Sequence, residues 1–513
     1  MPINRPDLQS LEVIAAGYGL KVPPSELTQY RDAIHGALEA WDVVEAAHNE
    51  IAPQSPDRAW SRPSEAENPW GAWYVKTEIQ EREDGPLAGQ RVVVKDNTSV
   101  AGVPMMNGSR TLEGFTPSYD ATVVSRLLAA GAVITGKTVC EDLCMSAGSH
   151  TSNPGPVRNP WDPSRSSGGS SSGSGVLVAT GEADLAISGD QGGSIRIPAA
   201  WLGLVGHKPT WGLVPYTGAM PVENSLDHLG PTARTVADAA KLLGVIAGPD
   251  GLDPRQPRTW EPVDYVAESA RGARGLRVGV VTEGFGHANS DPRVDEAVRA
   301  RAESLRSAGV SVEEVSIPWH RMAPALFAVI AFEGGLTQLV EGNAFGTGWK
   351  GRYDEDMLAF YGAQWRESPD QLPASVKMAM LNGRHTRDVA FGRHYAMARN
   401  LERTLSAAYD EALSRYDVLV MPTSPIAASP LPGSDASVLE VLAVGSEQLV
   451  NTSAFDVTGH PACSVPAGMV DGLPVGMMVV GKQFDDATVL RVARAVEDEA
   501  GGFPRLPGHE ETT

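Results

Sequence analysis

Short apolar runs alternate with amphipathic stretches through the middle of the chain. Residues 91–95 (RVVVK) and 133–138 (VITGKT) have the length and β-branched content of buried strands, and residues 120–132 (DATVVSRLLAAGA) between them have helical periodicity. The same order of strand, helix and strand returns over residues 275–315. Repeated βαβ units predict an α/β/α sandwich around one large mixed sheet, with helices covering both faces.

The pattern changes along the chain and predicts four segments. Residues 1–88 form a helical N-terminal domain followed by a Pro- and Trp-rich connection, and residues 89–320 form the first part of the sheet-containing core. Residues 321–400 break the alternation and are predicted to be an inserted cap subdomain. Residues 401–513 complete the core, with a hairpin expected at Asp471-Gly472.

Charge and cysteine content exclude several classes of function. The 513 residues include 42 Lys+Arg against 63 Asp+Glu, and the net charge of -21 opposes binding to nucleic acid or to an anionic membrane. No basic leader and no uninterrupted membrane-length apolar run is evident, so a cytoplasmic location is expected. The three cysteines form no disulfide framework, and no histidine pair completes a metal site near Cys140 and Cys144.

Two Gly/Ser-rich segments lie close together, at residues 164–175 (SRSSGGSSSGSG) and 189–194 (GDQGGS). Such a composition is usual in flexible linkers, but these segments lie between apolar stretches, which favours loops packed around a small ligand. No P-loop pattern is present. Residues 169–173 (GSSSG) match the nucleophile elbow of α/β-hydrolases, so a Ser-His-Asp hydrolase using one of the histidines stays possible.

Lys95 follows three valines at the end of a predicted buried strand. A lysine in such a place usually forms a salt bridge, here to the adjacent Asp96, or extends out of the strand end. Together with the two serine loops, however, an uncharged lysine would offer a base that accepts a serine proton without histidine.

Five long motifs resemble the amidase signature family, the serine hydrolases of amide C–N bonds. They are VVVKDN, NPWDPSRSSGGSSSGSG, SGDQGGSIRIPAAWLGLVGHKPTWGLVP, SLDHLGPTARTV and GHPACSVPAG with GLPVGMMVVG, in order between about residues 90 and 500. Within the family, DQGGSIR, FDVTGHP and the N-terminal extension resemble the broad-specificity amidases associated with nitrile hydratases.

The resemblance implies a Ser-cisSer-Lys triad of Lys95, bridging Ser170 after a cis Gly169-Ser170 bond, and the nucleophile Ser194. It implies an oxyanion hole from the backbone N–H groups of Gln191, Gly192, Gly193 and Ser194, with Asp190 and Arg196 supporting the loop. Cys144 and Met145 align with the segment that lines the acyl pocket, although ordinary core packing explains them equally well. No metal or organic cofactor is required.

The expected function is therefore hydrolysis of aliphatic or aromatic carboxamides through an acyl-enzyme, by a protein that dimerises through its N-terminal domain. Three alternatives stay open at this stage. They are a specialist hydrolase of anilides, carbamates or lactams, the glutaminase subunit of a tRNA-dependent amidotransferase, and a non-catalytic ligand-binding member of the fold.

Overall fold

A twelve-stranded mixed sheet forms the centre of the chain in the computed structural model, which describes residues 3–507. Its strand order is β1-β2-β4-β3-β7-β9-β8-β13-β14-β12-β10-β11, and β5 and β6 form a separate hairpin. The strands are β1 (Trp60–Ser61), β2 (Trp73–Ile79), β3 (Arg91–Lys95), β4 (Val133–Thr138), β5 (Arg158–Asn159), β6 (Asp162–Ser166), β7 (Leu185–Asp190), β8 (Val205–Lys208), β9 (His228–Ala233), β10 (Arg277–Val281), β11 (Ser311–Val315), β12 (Val418–Pro422), β13 (Ala462–Val470) and β14 (Leu473–Val480).

Helices lie on both sides of this sheet, which confirms the predicted sandwich. The α-helices are α1 (Leu8–Gly17), α2 (Pro24–Ala37), α3 (Glu39–Asn49), α4 (Thr122–Ala129), α5 (Ser172–Ala179), α6 (Arg196–Leu202), α7 (Val236–Ile246), α8 (Tyr265–Ser269), α9 (Pro292–Ser304), α10 (Ala323–Val329), α11 (Glu355–Glu367), α12 (Ala374–Ala390), α13 (Arg393–Arg415), α14 (Val438–Val444), α15 (Ser453–Thr458) and α16 (Asp486–Ala500). Two π-helical segments, Ile330–Gly334 and Leu336–Glu341, extend α10.

Two groups of parallel strands flank an antiparallel centre. β3 runs parallel to β4 and β7, and β10 runs parallel to β11 and β12, while β7, β9, β8, β13 and β14 pair antiparallel. β3 carries three fully buried valines, as a strand covered on both faces requires. The β13–β14 hairpin turns at Asp471 and Gly472, both with positive φ, which confirms the predicted turn.

The N-terminal segment up to Ser55 is a compact unit of its own, and a second unit begins at Pro56. In the first unit Asp7 caps α1, and Arg5 forms an ion pair with Asp42 at 2.6 Å. The sequence-based boundary at residue 88 differs from this division, because residues 60–79 add two strands to the edge of the sheet. Those strands are short and aromatic, and a Pro-rich composition concealed them.

Residues between β11 and β12 are helical and include the predicted cap segment 321–400. α13 continues past that boundary to Arg415. The stretch Pro318–Glu341 has the length and apolar composition of a membrane span, but half of its most apolar window is buried inside the protein. A buried core helix meets the same criterion, so this stretch is weak evidence for a membrane.

Candidate active site

Lys95 is the last residue of β3 and is fully buried between two parallel neighbours. Its Nζ is hydrogen-bonded to Ser170 Oγ at 2.8 Å and donates to the Gly189 carbonyl at 3.3 Å. Asp96 does not pair with it, because that carboxylate binds Lys137 Nζ on β4 at 2.7 Å. Within residues 3–507 no carboxylate forms an ion pair with Lys95. The salt bridge considered from the sequence is therefore absent, and the hydrogen bonds of Lys95 Nζ go to a serine hydroxyl and a backbone carbonyl.

Ser170 lies just before α5 and follows a cis Gly169–Ser170 peptide bond, as the family resemblance implied. Its neighbour Gly169 is closely packed, since a Cβ there would lie 2.8 Å from Glu141 Cγ. The nucleophile-elbow interpretation fails, because the central Ser171 of that motif is buried and donates to the Gly189 carbonyl at 2.9 Å. Ser170 is the serine of this loop that meets the lysine.

Ser194 lies in the turn between β7 and α6, directly after Gly192 and Gly193. Ser171 N–H donates to the Ser194 carbonyl at 3.4 Å and so links the two serine loops. Ser194 is 5 % exposed and lines a cavity, whereas Lys95 and Ser170 are fully buried and do not. Of the three predicted catalytic residues, Ser194 is thus the one that a bound ligand can touch first.

Asp190 and Arg196 hold the turn that carries Ser194. The Asp190 carboxylate accepts from Gly193 N–H and Ile195 N–H, and Arg196 binds it with two nitrogens at 3.0 Å each. Burial alone would raise the pKa of Asp190, but the guanidinium of Arg196 holds it well below its usual range. This arrangement fits the predicted supporting role, since a bidentate buried pair fixes geometry.

The predicted oxyanion hole needs one correction. Gly193 N–H already donates to Asp190, so it is not available to a substrate oxygen. Within the described residues, no acceptor is found for the N–H groups of Gln191, Gly192 and Ser194. Thr452 orients this segment by donating its hydroxyl to the Gly192 carbonyl at 2.6 Å. The remaining N–H groups form a smaller donor set than the sequence motif implied.

The cavity beside Ser194 has a volume of about 410 Å³ and walls that are mostly apolar. Cys144 and Met145 lie on its wall, as does the side chain of Gln191. Further wall residues come from α10 with its π-helical extension, from α12, and from the segment 441–453: Phe327, Ala328, Ala331, Phe332, Met378, Val441, Leu442, Leu449 and Val450. A smaller cavity of about 200 Å³ contains none of the predicted site residues.

Charged groups are few on this wall. Glu223 is the acidic one, and it is held by Tyr395 at 2.8 Å and by Ser225 N–H at 2.8 Å. No lysine, arginine or histidine is among the described residues that line the cavity. His207, His228 and His460 are buried elsewhere, with His207 bound to Asp486 at 2.9 Å. A Ser-His-Asp mechanism therefore has no histidine at the cavity.

Sequence reasoning missed Thr452, Phe327 and the rest of the segment 441–453. Thr452 contacts Gly192 across a separation of 260 residues, and no local motif signals such tertiary contacts. Gly192 gives an indirect signal, since a Cβ there would lie 2.7 Å from Phe327 Cζ. A glycine in that turn indicated close packing, but its partner could not be read from the chain.

Comparison with known proteins now identifies the class. The family model described as Amidase matches residues 42–490. An enantioselective amidase from Rhodococcus rhodochrous is 52% identical over 494 residues, covering 96% of this chain and 94% of the relative. The chain therefore belongs to the amidase family, the hydrolases that act on amides.

Solved structures agree with this assignment. A glutamyl-tRNA(Gln) amidotransferase subunit from Thermotoga maritima superimposes with a TM-score of 0.72 at 32% identity, covering 86% of this chain and 92% of that one. The native peptide amidase from Stenotrophomonas maltophilia gives a TM-score of 0.68 at 31% identity, covering 83% and 85%. The sequence-based resemblance to the amidase signature family and its fold is confirmed.

Proposed function

We propose that this amidase cleaves its substrate by a relay of Ser194, Ser170 and Lys95. The observation that carries the proposal is the fully buried Lys95–Ser170 hydrogen bond of 2.8 Å, with no carboxylate partner for Lys95 in residues 3–507. A buried amine that has no carboxylate partner and is hydrogen-bonded to a serine hydroxyl is placed to exchange a proton with that hydroxyl. Ser194 on the cavity wall supplies the nucleophile.

In the first half-reaction Ser194 Oγ bonds to the carbonyl carbon of the amide. Its proton passes to Ser170 while the Ser170 hydroxyl proton passes to Lys95. The carbonyl oxygen gains the negative charge and accepts from the free N–H groups of Gln191, Gly192 and Ser194. When the C–N bond breaks, the proton returns through Ser170 to the leaving nitrogen, and ammonia or an amine departs.

The second half-reaction hydrolyses the ester left on Ser194. Water adds to the acyl carbon while the same relay takes its proton, and a second oxyanion forms in the same place. Collapse of this intermediate breaks the bond to Ser194 Oγ, whose proton is restored. The products are a carboxylic acid and the free enzyme, and the proposed steps use no metal or organic cofactor.

The cavity favours amides with an apolar acyl group. Its volume of about 410 Å³ accommodates a small aliphatic or aromatic acyl chain, and aromatic and aliphatic side chains form most of its wall. The helical segment 321–400, predicted as the cap, supplies Phe327, Phe332 and Met378 to that wall. We assign to this segment the choice of acyl group.

Glutamine is a poorer fit, although amidotransferase subunits share the fold. Its α-carboxylate would need a cationic partner, and no lysine or arginine lines the cavity within the described residues. A specialist hydrolase of anilides, carbamates or lactams would use the same site, and only turnover can separate these substrates. A purely ligand-binding role would leave the buried lysine–serine pair without a purpose.

We also propose a cytoplasmic homodimer. The first unit leaves large apolar side chains on its helices accessible, including Val43 at 69 % and Val44 at 68 % exposure. A second copy of the chain would cover them. Changing Val43 and Val44 together to lysine should shift the protein to monomer by sedimentation velocity, and an unchanged dimer would place the interface elsewhere.

The proposed function is tested by release of ammonia and acid from acetamide, propionamide, benzamide and acetanilide. Turnover that Ser194→Ala abolishes would support the relay. The variant Ser171→Ala serves as a matched control, because Ser171 is a buried neighbour that the relay does not use. Full activity of Ser194→Ala would contradict the proposal.

A further inference from the structure

Gln191 lines the cavity, and its side chain has an unused, buried hydrogen-bond acceptor. Gln191 is 6 % exposed and lines the cavity next to Ser194. Its Nε2 donates to Tyr216 Oη at 3.0 Å, whereas its Oε1 is buried and has no hydrogen-bond partner among the described residues. An unpaired buried carbonyl costs free energy, so its retention points to a donor that arrives with the ligand.

Tyr216 determines which way the Gln191 carboxamide faces. The single Tyr216 hydroxyl proton is directed at the Met220 carbonyl at 3.4 Å, and the oxygen accepts from Asn97 Nδ2 at 3.2 Å as well as from Gln191. With Nε2 of Gln191 donating to this hydroxyl, all three contacts of Tyr216 Oη are satisfied at once. The free atom of Gln191 is therefore the oxygen, and the missing partner is a donor.

The carboxamide lies on the lysine side of the cavity. Lys95 Nζ is 3.3 Å and Gln191 Nε2 is 3.6 Å from the point where a Cβ on Gly189 would stand. The proposed relay delivers its proton to the leaving nitrogen on this side. A free acceptor here is thus suited to bind an N–H on the group that departs.

We propose that Gln191 Oε1 accepts a hydrogen bond from the leaving N–H of the substrate and so selects amides over esters. This inference rests on the proposed relay, because it requires Ser194 to attack beside the carboxamide. The backbone N–H of Gln191 faces the carbonyl oxygen and its side chain faces the nitrogen, so one residue distinguishes both ends of the scissile group. An ester oxygen has no proton to donate and gains nothing from Oε1.

The test compares kcat/KM for an amide and its methyl ester, which form the same acyl-enzyme and differ only in the group that departs during acylation. The pair is benzamide with methyl benzoate, or propionamide with methyl propionate where the aliphatic amide is the better substrate. Gln191→Met keeps the side-chain length and removes the acceptor. We expect the amide-to-ester ratio of kcat/KM to fall roughly tenfold in this variant, the effect of one lost neutral hydrogen bond in a buried site.

Tyr216→Phe is the second variant, since it removes the anchor of Nε2 but leaves Oε1 in place. It should lower the same ratio by a smaller factor, roughly two- to fivefold. Tyr361→Phe is the matched control, because Tyr361 Oη is another buried hydroxyl without a hydrogen-bond partner among the described residues and Tyr361 does not line the cavity. It should leave the amide-to-ester ratio of the wild type unchanged.

The outcomes separate the two proposals. A Gln191→Met variant that loses both activities equally, or neither, would overturn the role of Oε1 while leaving the relay intact. Activity that persists in Ser194→Ala on either substrate would overturn the relay itself. A ratio that falls in Gln191→Met and in Tyr216→Phe but not in Tyr361→Phe would support the inference.

Discussion

Two fully buried lysines lie on adjacent parallel strands and have opposite environments. Lys137 on β4 forms an ion pair with Asp96 at 2.7 Å, and that carboxylate also accepts from Met106 N–H and Asn107 N–H. Lys95 on β3 meets a serine hydroxyl and a carbonyl. The first lysine neutralises a buried charge, whereas the second has no carboxylate partner within residues 3–507 and is the one that we propose for proton transfer. Burial alone therefore does not distinguish the lysine that we propose as the base; its hydrogen bond to Ser170 does.

The largest expected effect comes from removing the reactive lysine. Lys95→Met should lower kcat/KM for the best amide by at least about 10⁴-fold, because the members of a catalytic relay act as a unit. Thermal unfolding should stay close to that of the wild type, since no ion pair is broken. Steady-state rates and calorimetry check the two parts. Residual activity within tenfold of the wild type would remove the distinction between the lysines.

Replacing Lys137, the ion-paired lysine, should instead lower the stability of the fold. Lys137→Met leaves Asp96 as a buried, unpaired carboxylate and should destabilise the protein by about 3–5 kcal/mol. Adding Asp96→Asn should restore much of this loss, because the amide keeps an acceptor without a charge. Denaturant unfolding of the single and double variants measures both effects. Equal stability of the two variants would show that the ion pair is not what holds Lys137.

Asp190 provides a pH test of the loop that carries the nucleophile. Its pKa in the folded state lies below the unfolded value near 3.8, so the ionised form stabilises the fold above that pH and the contribution disappears as the pH falls through and below it. Asp190→Asn should therefore be less stable than the wild type by about 3 kcal/mol at pH 7, with the difference shrinking toward pH 3.

Thermal unfolding measured between pH 7 and pH 3 reports the difference in stability between the wild type and Asp190→Asn. Asp388→Asn is the control, because its ion pair with Arg384 is exposed and contributes little. A gap between wild type and Asp190→Asn that stays constant over this range would contradict the assigned role of the Asp190 charge.

The smallest predicted effect concerns Thr452, the distant support of the oxyanion loop. Thr452→Val removes the hydroxyl that donates to the Gly192 carbonyl while keeping the volume of the side chain. We expect kcat/KM to fall about tenfold with little change in KM, since a misplaced N–H group weakens the transition state more than the ground state. An effect confined to KM would assign Thr452 to substrate binding instead.

The groups that we propose to react are easier to find in the sequence than the groups that surround them. Lys95, Ser170 and Ser194 belong to long local motifs, and the mixed sheet follows from apolar strands alternating with helical stretches. The donation of Gly193 N–H to Asp190 was missed, since a motif does not show which N–H groups are already occupied. Phe327 and Thr452 were missed for another reason, because they approach the glycines only through the tertiary fold.

The edge strands at residues 60–79 were missed as well. Their pairing to β4 is irregular, with register shifts on both sides of Lys76, so no clean alternation marks them in the sequence. The residues of the acyl pocket could not be predicted from local sequence either. Its wall combines segments that lie hundreds of residues apart, and substrate preference depends on how they pack rather than on any one of them.

The most direct test of the account is covalent labelling with a fluorophosphonate, followed by peptide mass spectrometry. We predict one adduct per chain on Ser194 in the wild-type protein and none in Ser194→Ala. Labelling should be strongly slowed in Lys95→Met. Folded Lys137→Met should be labelled at close to the wild-type rate. An adduct on another residue, or undiminished labelling without Lys95, would contradict the claim that the unpaired lysine activates Ser194.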